Sequence, residues 1–215
     1  METAAVLAVV ACAVFVGGLL VAERRQAGLA RAVCKLGASS AFVAFAVSLG
    51  AATTTYGALV LAALLLSWVG DALLLSDAER VFLGGLAAFL LAHVAYTVAF
   101  WTYGPPGLAF LLALPCFGAV GVLTLRWLWP HLDAGDRGPV FAYVVVIVVM
   151  CAAATGYSRA AASVVPAIGA ACFMASDLAV ARDRFVVRSV ANRLWGLPLY
   201  FLAQLLLAWT VTLAR

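Results

Sequence analysis

Charged side chains are scarce in this sequence. Only 10% of its 215 residues are Asp, Glu, Lys or Arg, whereas 67% are hydrophobic. Soluble globular domains contain about 25% charged residues, so the composition excludes an ordinary soluble domain. It indicates a polytopic membrane protein instead. Because no long polar linker separates the apolar runs, we expect a single domain over residues 1–215.

Motifs for metals, redox chemistry and phosphate loops are also missing. The five cysteines form no CxxC pair, and the two histidines, His93 and His131, lack the spacing of metal ligands. No GxSxG motif or phosphate-binding glycine loop is present. The net charge of +4 arises from residues between apolar runs and not from a basic stretch with interleaved aromatics. We therefore expect no cofactor, no resident metal and no nucleic-acid partner.

Eight apolar segments approach or reach the length of about 20 residues that a transmembrane helix needs. They cover residues 4–21, 32–50, 56–75, 81–101, 107–127, 139–156, 161–181 and 194–213. Charged or proline-containing breaks separate them, for example at 23–26, 77–80 and 104–107, and the longest loop is predicted at 130–139. The sequence thus predicts an all-α bundle of eight transmembrane helices. Because Glu2 precedes the first segment, we expect a retained helix and not a cleaved signal peptide.

The basic residues are concentrated in alternate connections. Eleven of the thirteen Lys and Arg residues lie in or beside the first, third, fifth and seventh connections, and only Arg159 and Arg215 lie elsewhere. Cytoplasmic loops carry the excess of Lys and Arg, so both termini are predicted to be extracytoplasmic. The expected location is the cell membrane of a prokaryote, where the basic residues would attract lipid headgroups. The pattern makes no prediction of oligomeric state.

Two carboxylates lie within apolar segments. Asp71 belongs to SWVGDALLL at 67–75, and Asp177 belongs to FMASDL at 173–178. A charge inside a spanning helix costs about 2.5–3.5 kcal/mol on insertion scales, so such residues are usually functional. Both are predicted four residues from the cytoplasmic ends of their helices. Two carboxylates at one depth on different helices suit acid–base catalysis, with Ser67, one turn before Asp71, as a hydrogen-bond partner.

Structural roles are the alternatives for these two acids. Asp71 could pair with Arg80, and Asp177 could pair with Arg182 or Arg184. Each acid is followed by an arginine and then by a phenylalanine. This similarity indicates a 4+4 parallel repeat, since an even number of spans preserves orientation.

Five further polar residues are candidates for substrate binding. His93 lies deep in the fourth segment and could donate a proton, or could be a packed residue bonded to Tyr96. Tyr200 and Gln204 form an i,i+4 pair in the eighth segment, suited to orienting a headgroup or to bonding between helices. Lys35 could attract a lipid phosphate or serve only as a topology charge.

Three blocks of sequence resemble the YhhN family of membrane proteins, which includes the animal lysoplasmalogenases. The first is SWVGDALLL at 67–75 followed by FLGGLAAFLLAHVAY at 82–96. The second is IGAACFMASD at 168–177, and the third is LYFLAQ at 199–204. The resemblance implies a hydrolase that cleaves the vinyl ether bond of a lysophospholipid substrate, a lysoplasmalogen. The products would be a fatty aldehyde and glycerophosphoethanolamine or glycerophosphocholine.

The residues suit this reaction, because vinyl ethers hydrolyse by protonation at carbon followed by capture of a cation by water. One protonated acid and one carboxylate, here Asp71 and Asp177, would supply general acid–base catalysis. Two other functions remain open. A proton-coupled transporter or lipid-binding protein would use the same pair as a proton relay, with breaks at Pro115, Pro166 or Pro198. A metal-dependent lipid amidase or esterase would need a bound metal.

Overall fold

The computed structural model describes residues 2–76, 78–103 and 106–214. Met1, Asp77, Gly104, Pro105 and Arg215 lie outside the described residues. Within the described part, eight α-helices are each long and apolar enough to cross a membrane, as predicted. They are α1 Glu2–Arg25, α2 Gly28–Ser48, α3 Thr55–Leu73, α4 Glu79–Thr102, α5 Leu108–Leu128, α6 Ala134–Ala160, α7 Val165–Ala181 and α8 Val190–Trp209. Helices suit this environment because they satisfy backbone polar groups internally.

Consecutive helices pack as hairpins, α1 with α2, α3 with α4, α5 with α6 and α7 with α8. Helix α8 also contacts α1, α2 and α3, and α6 contacts α4 and α7. Helices α1 and α5 are peripheral, and their exposed side chains are apolar, for example Val14 and Leu123. Lipid tails can solvate such side chains, so this surface agrees with a membrane location. The proposed 4+4 repeat is not confirmed.

Glycines permit the closest helix crossings. A Cβ atom at Gly70 of α3 would lie 2.6 Å from the ring of Phe89 in α4. A Cβ atom at Gly196 of α8 would lie 2.5 Å from Cβ of Ala179 in α7. Small residues allow membrane helices to approach in this way. The close crossing at Gly70 therefore packs α3 against α4 one residue before Asp71.

The prediction of a long loop at 130–139 is wrong. A 3₁₀ turn, Trp129–His131, continues α5, and α6 begins at Ala134. Pro139 lies inside α6, near its start. A proline there removes one N–H donor, but the helix continues beyond it to Ala160. In the described residues the longest connection between α-helices runs over 182–189 and contains a π-helical turn, Arg182–Val186.

The three prolines considered as helix breaks do not interrupt α-helices. Pro115 lies within α5 and Pro198 within α8. Pro166 lies in the first turn of α7, where the missing N–H would have had no intrahelical partner. The broken helices that are common in transporters are therefore not found at these positions.

Eleven basic residues lie at or near one end of the bundle, where α1, α3, α5 and α7 end and the other four helices begin. We call it the basic end. Because basic residues favour the cytoplasmic side, we expect a reporter fused after Arg215 to be silent if it is active only in the cytoplasm. The same reporter inserted at exposed Asp133, at the basic end, should give signal. The reverse pattern would contradict the predicted orientation.

Candidate functional site

Asp71 is a buried carboxylate held by three side chains from two other helices. Its Oδ2 accepts hydrogen bonds of 2.6 Å from Ser39 Oγ of α2 and from the Tyr200 hydroxyl of α8. Its Oδ1 lies 3.2 Å from Nζ of Lys35, also in α2. The sequence had suggested an ion pair between Asp71 and Arg80 as an alternative, but Lys35 is the cation beside Asp71. One cation and two hydroxyl donors thus face the oxygens of this carboxylate.

Asp177 has a different environment, without a cation among its close contacts in the described residues. Its Oδ2 accepts a 2.9 Å hydrogen bond from the Tyr143 hydroxyl of α6. The same oxygen lies 3.5 Å from Nε2 of His93 in α4. Its side chain is 21% exposed, whereas that of Asp71 is 2% exposed. Asp177 is therefore the more accessible of the two acids.

The arginines considered as partners of Asp177 interact elsewhere. Arg182 donates to Oδ1 of Asn192. The guanidinium of Arg184 lies over the ring of Phe82, 4.3 Å from its centre. The alternative of a simple Asp177–Arg ion pair is therefore not supported.

The hydrogen bonds of His93 determine which nitrogen carries a proton. Nδ1 lies 2.6 Å from the backbone oxygen of Phe89, and a carbonyl can only accept, so Nδ1 is the donor. Nε2 is buried and makes no hydrogen bond of acceptable geometry, although Asp177 lies within ion-pair distance. A neutral Nε2 and an ionised carboxylate would present lone pairs to each other. A proton on either His93 or Asp177 removes this repulsion, so the pair is suited to storing one proton.

His93 and Asp177 meet although the sequence places their Cα atoms at different depths. Side chains of an α-helix lean toward its N-terminus. Helix α4 begins at the basic end, so His93 leans toward that end. Helix α7 ends there, so Asp177 leans away from it. Asp71 on α3 and Tyr200 on α8 approach each other in the same manner.

Both carboxylates line one cavity of about 410 Å³, which opens toward the basic end. Its inner walls are apolar and include Phe89, Ile147 and Met174, whereas its outer part is lined by charged side chains. The ring of Phe173 lies 5.6 Å from that of Tyr200, a partner of Asp71, and 4.4 Å from that of His93, a partner of Asp177, centre to centre. An amphiphile could place an apolar chain inside and a polar group at the mouth.

The other predicted binding residues are divided between the cavity and the protein interior. Lys35 and Tyr200 line the cavity. Tyr96 donates a 2.7 Å hydrogen bond to Oε1 of Gln204, and both residues are buried away from the cavity lining. Ser67 donates to the backbone oxygen of Ala63, one turn earlier, and not to Asp71. Serine in a helix often forms this local bond.

Two residues that contact the acids were not singled out in the sequence. Ser39 is one turn after Lys35 on α2, so it shares the face that reaches Asp71. Tyr143 is a polar residue within the apolar stretch FAYVVVIVV at 141–149. Two sequence features could have identified these residues. Ser39 is four residues after Lys35, and Tyr143 carries a hydroxyl group within an apolar run.

Metal ligands do not cluster in the described part of the chain. No three His, Cys, Asp or Glu side chains among residues 2–76, 78–103 and 106–214 could hold one ion together.

Comparison with known proteins identifies the family of this chain. The model of the YhhN family matches residues 30–211, which include every residue that contacts Asp71 or Asp177. The chain belongs to the YhhN family. A lysoplasmalogenase of Mycobacterium tuberculosis is 32% identical over 146 residues, 65% of this chain and 53% of that protein. The lysoplasmalogenase TMEM86B of Mus musculus is 35% identical over 146 residues, 67% of this chain and 59% of that protein.

The chain thus aligns with little more than half the length of these YhhN relatives. The Rattus norvegicus lysoplasmalogenase TMEM86B is 32% identical over 157 residues, 71% of this chain and 61% of its own length. No solved structure matches the chain significantly.

Proposed function

We propose that this YhhN protein hydrolyses the vinyl ether bond of lysoplasmalogens within the membrane. The observation that carries the proposal is a pair of carboxylates, Asp71 and Asp177, that line one amphipathic cavity with contrasting partners. The names of the relatives support the same activity for the family. The products would be a fatty aldehyde and a glycerophospho-alcohol such as glycerophosphoethanolamine.

Protonation of the vinyl ether precedes the attack by water. A proton added to the outer vinyl carbon converts the C=C–O group to an oxocarbenium ion. Water then attacks the carbon bonded to oxygen and loses a proton, which gives a hemiacetal. The hemiacetal hydroxyl then loses its proton and forms the aldehyde C=O as the C–O bond to the glycerol breaks, and the glycerol oxygen takes up a proton. Neither an oxidant nor a reductant is consumed.

Asp177 is proposed as the acid. It faces His93 Nε2 across 3.5 Å in an arrangement that favours one shared proton, and its side chain is partly exposed. The Tyr143 hydroxyl fixes the orientation of the carboxyl group through its 2.9 Å hydrogen bond. His93 would share this proton with Asp177 without contacting the lipid, which makes it a positioning residue.

Asp71 is proposed as the ionised partner. Lys35 and two hydroxyl donors favour its negative charge. A fixed negative charge stabilises the oxocarbenium ion, and a carboxylate can also orient the attacking water. General acid–base assistance of this kind contributes about 10²–10⁴-fold to a rate.

Release of fatty aldehyde from a lysoplasmalogen by the purified protein is the expected result. An acyl lysophospholipid with the same headgroup should yield no free fatty acid, because its ester requires attack at a carbonyl and not protonation of a double bond. Coupled detection of aldehyde and fatty acid in parallel samples measures both. Transport of lipid or protons without aldehyde would favour the transporter alternative. Loss of activity with a chelator would favour the metal-dependent amidase or esterase.

A further inference from the structure

We propose that Arg31 binds the phosphate of the lysolipid and, with Lys35, sets which bond of the lipid reaches the two carboxylates. This inference rests on the proposed function, since it concerns the substrate of that cavity. It adds a phosphate subsite to the cavity. The spacing of residues along α2 would then set the distance between the bound headgroup and the carboxylates.

Arg31 lines the same cavity as the acids. Its Nε is buried and has no hydrogen-bond partner in the described residues. A buried polar N–H without a partner is unfavourable, so a shift of the guanidinium that brings this donor to a bound phosphate is favoured. The planar guanidinium presents several donors in a geometry that matches phosphate oxygens.

Two other cations that line the cavity form ion pairs within the protein. Arg193 lies 2.8 Å from Glu23 and 3.2 Å from Asp183, so its charge is matched by two carboxylates. Lys35 pairs with Asp71. A phosphate that contacts Arg31 displaces none of these ion pairs.

Spacing along α2 connects the phosphate subsite with the reacting bond. Arg31, Lys35 and Ser39 are four residues apart and share one helix face, with about 6 Å of rise between successive members. Lys35 and Ser39 contact Asp71. In a lysoplasmalogen six bonds join phosphorus to the first vinyl carbon, an extended distance of about 7 Å at ordinary bond lengths. A phosphate at Arg31 therefore places the vinyl ether near Asp71, one turn deeper.

The lining of the cavity agrees with this direction of binding. Deeper in the cavity the lining is apolar, with Phe89, Ile147 and Met174 available to the alkenyl chain. A lipid bound the other way would leave its phosphate among these side chains without charge partners. The headgroup therefore belongs at the basic end.

Binding measurements test the subsite without requiring turnover. The probes are a 1-alkyl lysophospholipid, whose saturated ether resists hydrolysis, and the matching 1-alkylglycerol, which lacks phosphate. For Arg31→Gln in the purified full chain, we expect the dissociation constant of the phospholipid to rise about tenfold or more, as for a lost charge-assisted hydrogen bond. That of the alkylglycerol should change less than about twofold by the same reasoning, and Arg31→Lys should be intermediate.

Arg25→Gln is the matched control, because Arg25 is exposed at the same end of the bundle and does not line the cavity. If Arg31→Gln weakens the binding of both probes equally, the role of Arg31 is structural. If the affinity for both probes is unchanged, the phosphate binds elsewhere. Either result overturns the subsite. If inorganic phosphate strengthens binding of the alkylglycerol, the site serves a free anion and the lipid assignment fails. These readouts remain valid even if no aldehyde is released, in which case only the proposed reaction fails.

Discussion

Replacing Asp177 with asparagine is expected to lower lysoplasmalogen turnover by about 100-fold or more, the low end for loss of general acid–base catalysis. Asparagine keeps the size of the side chain and can still accept the hydrogen bond from Tyr143. It cannot hold the proton that the vinyl carbon must receive. Lysolipid binding should change much less, because the apolar walls and the residues at the mouth remain. Steady-state aldehyde release and binding of a 1-alkyl lysophospholipid measure the two effects separately.

Asp133→Asn controls for the loss of a carboxylate, since Asp133 is exposed and precedes α6 without a side-chain capping bond. It should retain parental turnover. In the parent protein, proton transfer in the slow step should also produce a solvent deuterium isotope effect on aldehyde release. A folded Asp177→Asn variant that turns over at the parental rate would show that Asp177 is structural.

Asp71→Asn is expected to reduce both turnover and stability. Turnover should fall by about 100-fold or more, because the oxocarbenium ion loses a fixed negative charge. Lys35, whose side chain is only 12% exposed, loses its charge partner. Removal of one member of a buried ion pair lowers the free energy of unfolding by about 3–5 kcal/mol. Thermal unfolding in detergent and aldehyde release check the two consequences.

The double variant Asp71→Asn, Lys35→Met separates the two effects. It removes the unpaired charge together with the carboxylate, so most of the lost stability should return while turnover stays low. If turnover returns together with stability, Asp71 acts only by balancing Lys35, and its proposed catalytic role is wrong.

The sequence determined the membrane-spanning character of this protein and the positions of its acids. Eight apolar runs predict eight helices because a bilayer requires spans of a defined length, and the structure confirms them. Asp71 and Asp177 could be identified because a carboxylate in an apolar run is costly. The loop predicted at 130–139 was wrong, since α6 already begins at Ala134 and a proline near the start of a helix removes only one donor.

The tertiary structure decided which side chains meet these acids. The spacing along one helix shows which residues share a face, but it does not show which helix that face contacts. Helix rotation and packing bring Ser39 to Asp71 and Tyr143 to Asp177, and they bond Tyr96 to Gln204 away from the cavity. His93 reaches Asp177 because neighbouring helices of opposite direction lean their side chains toward each other. The two acids therefore acquire different partners, and these partners are the physical basis for their different proposed roles.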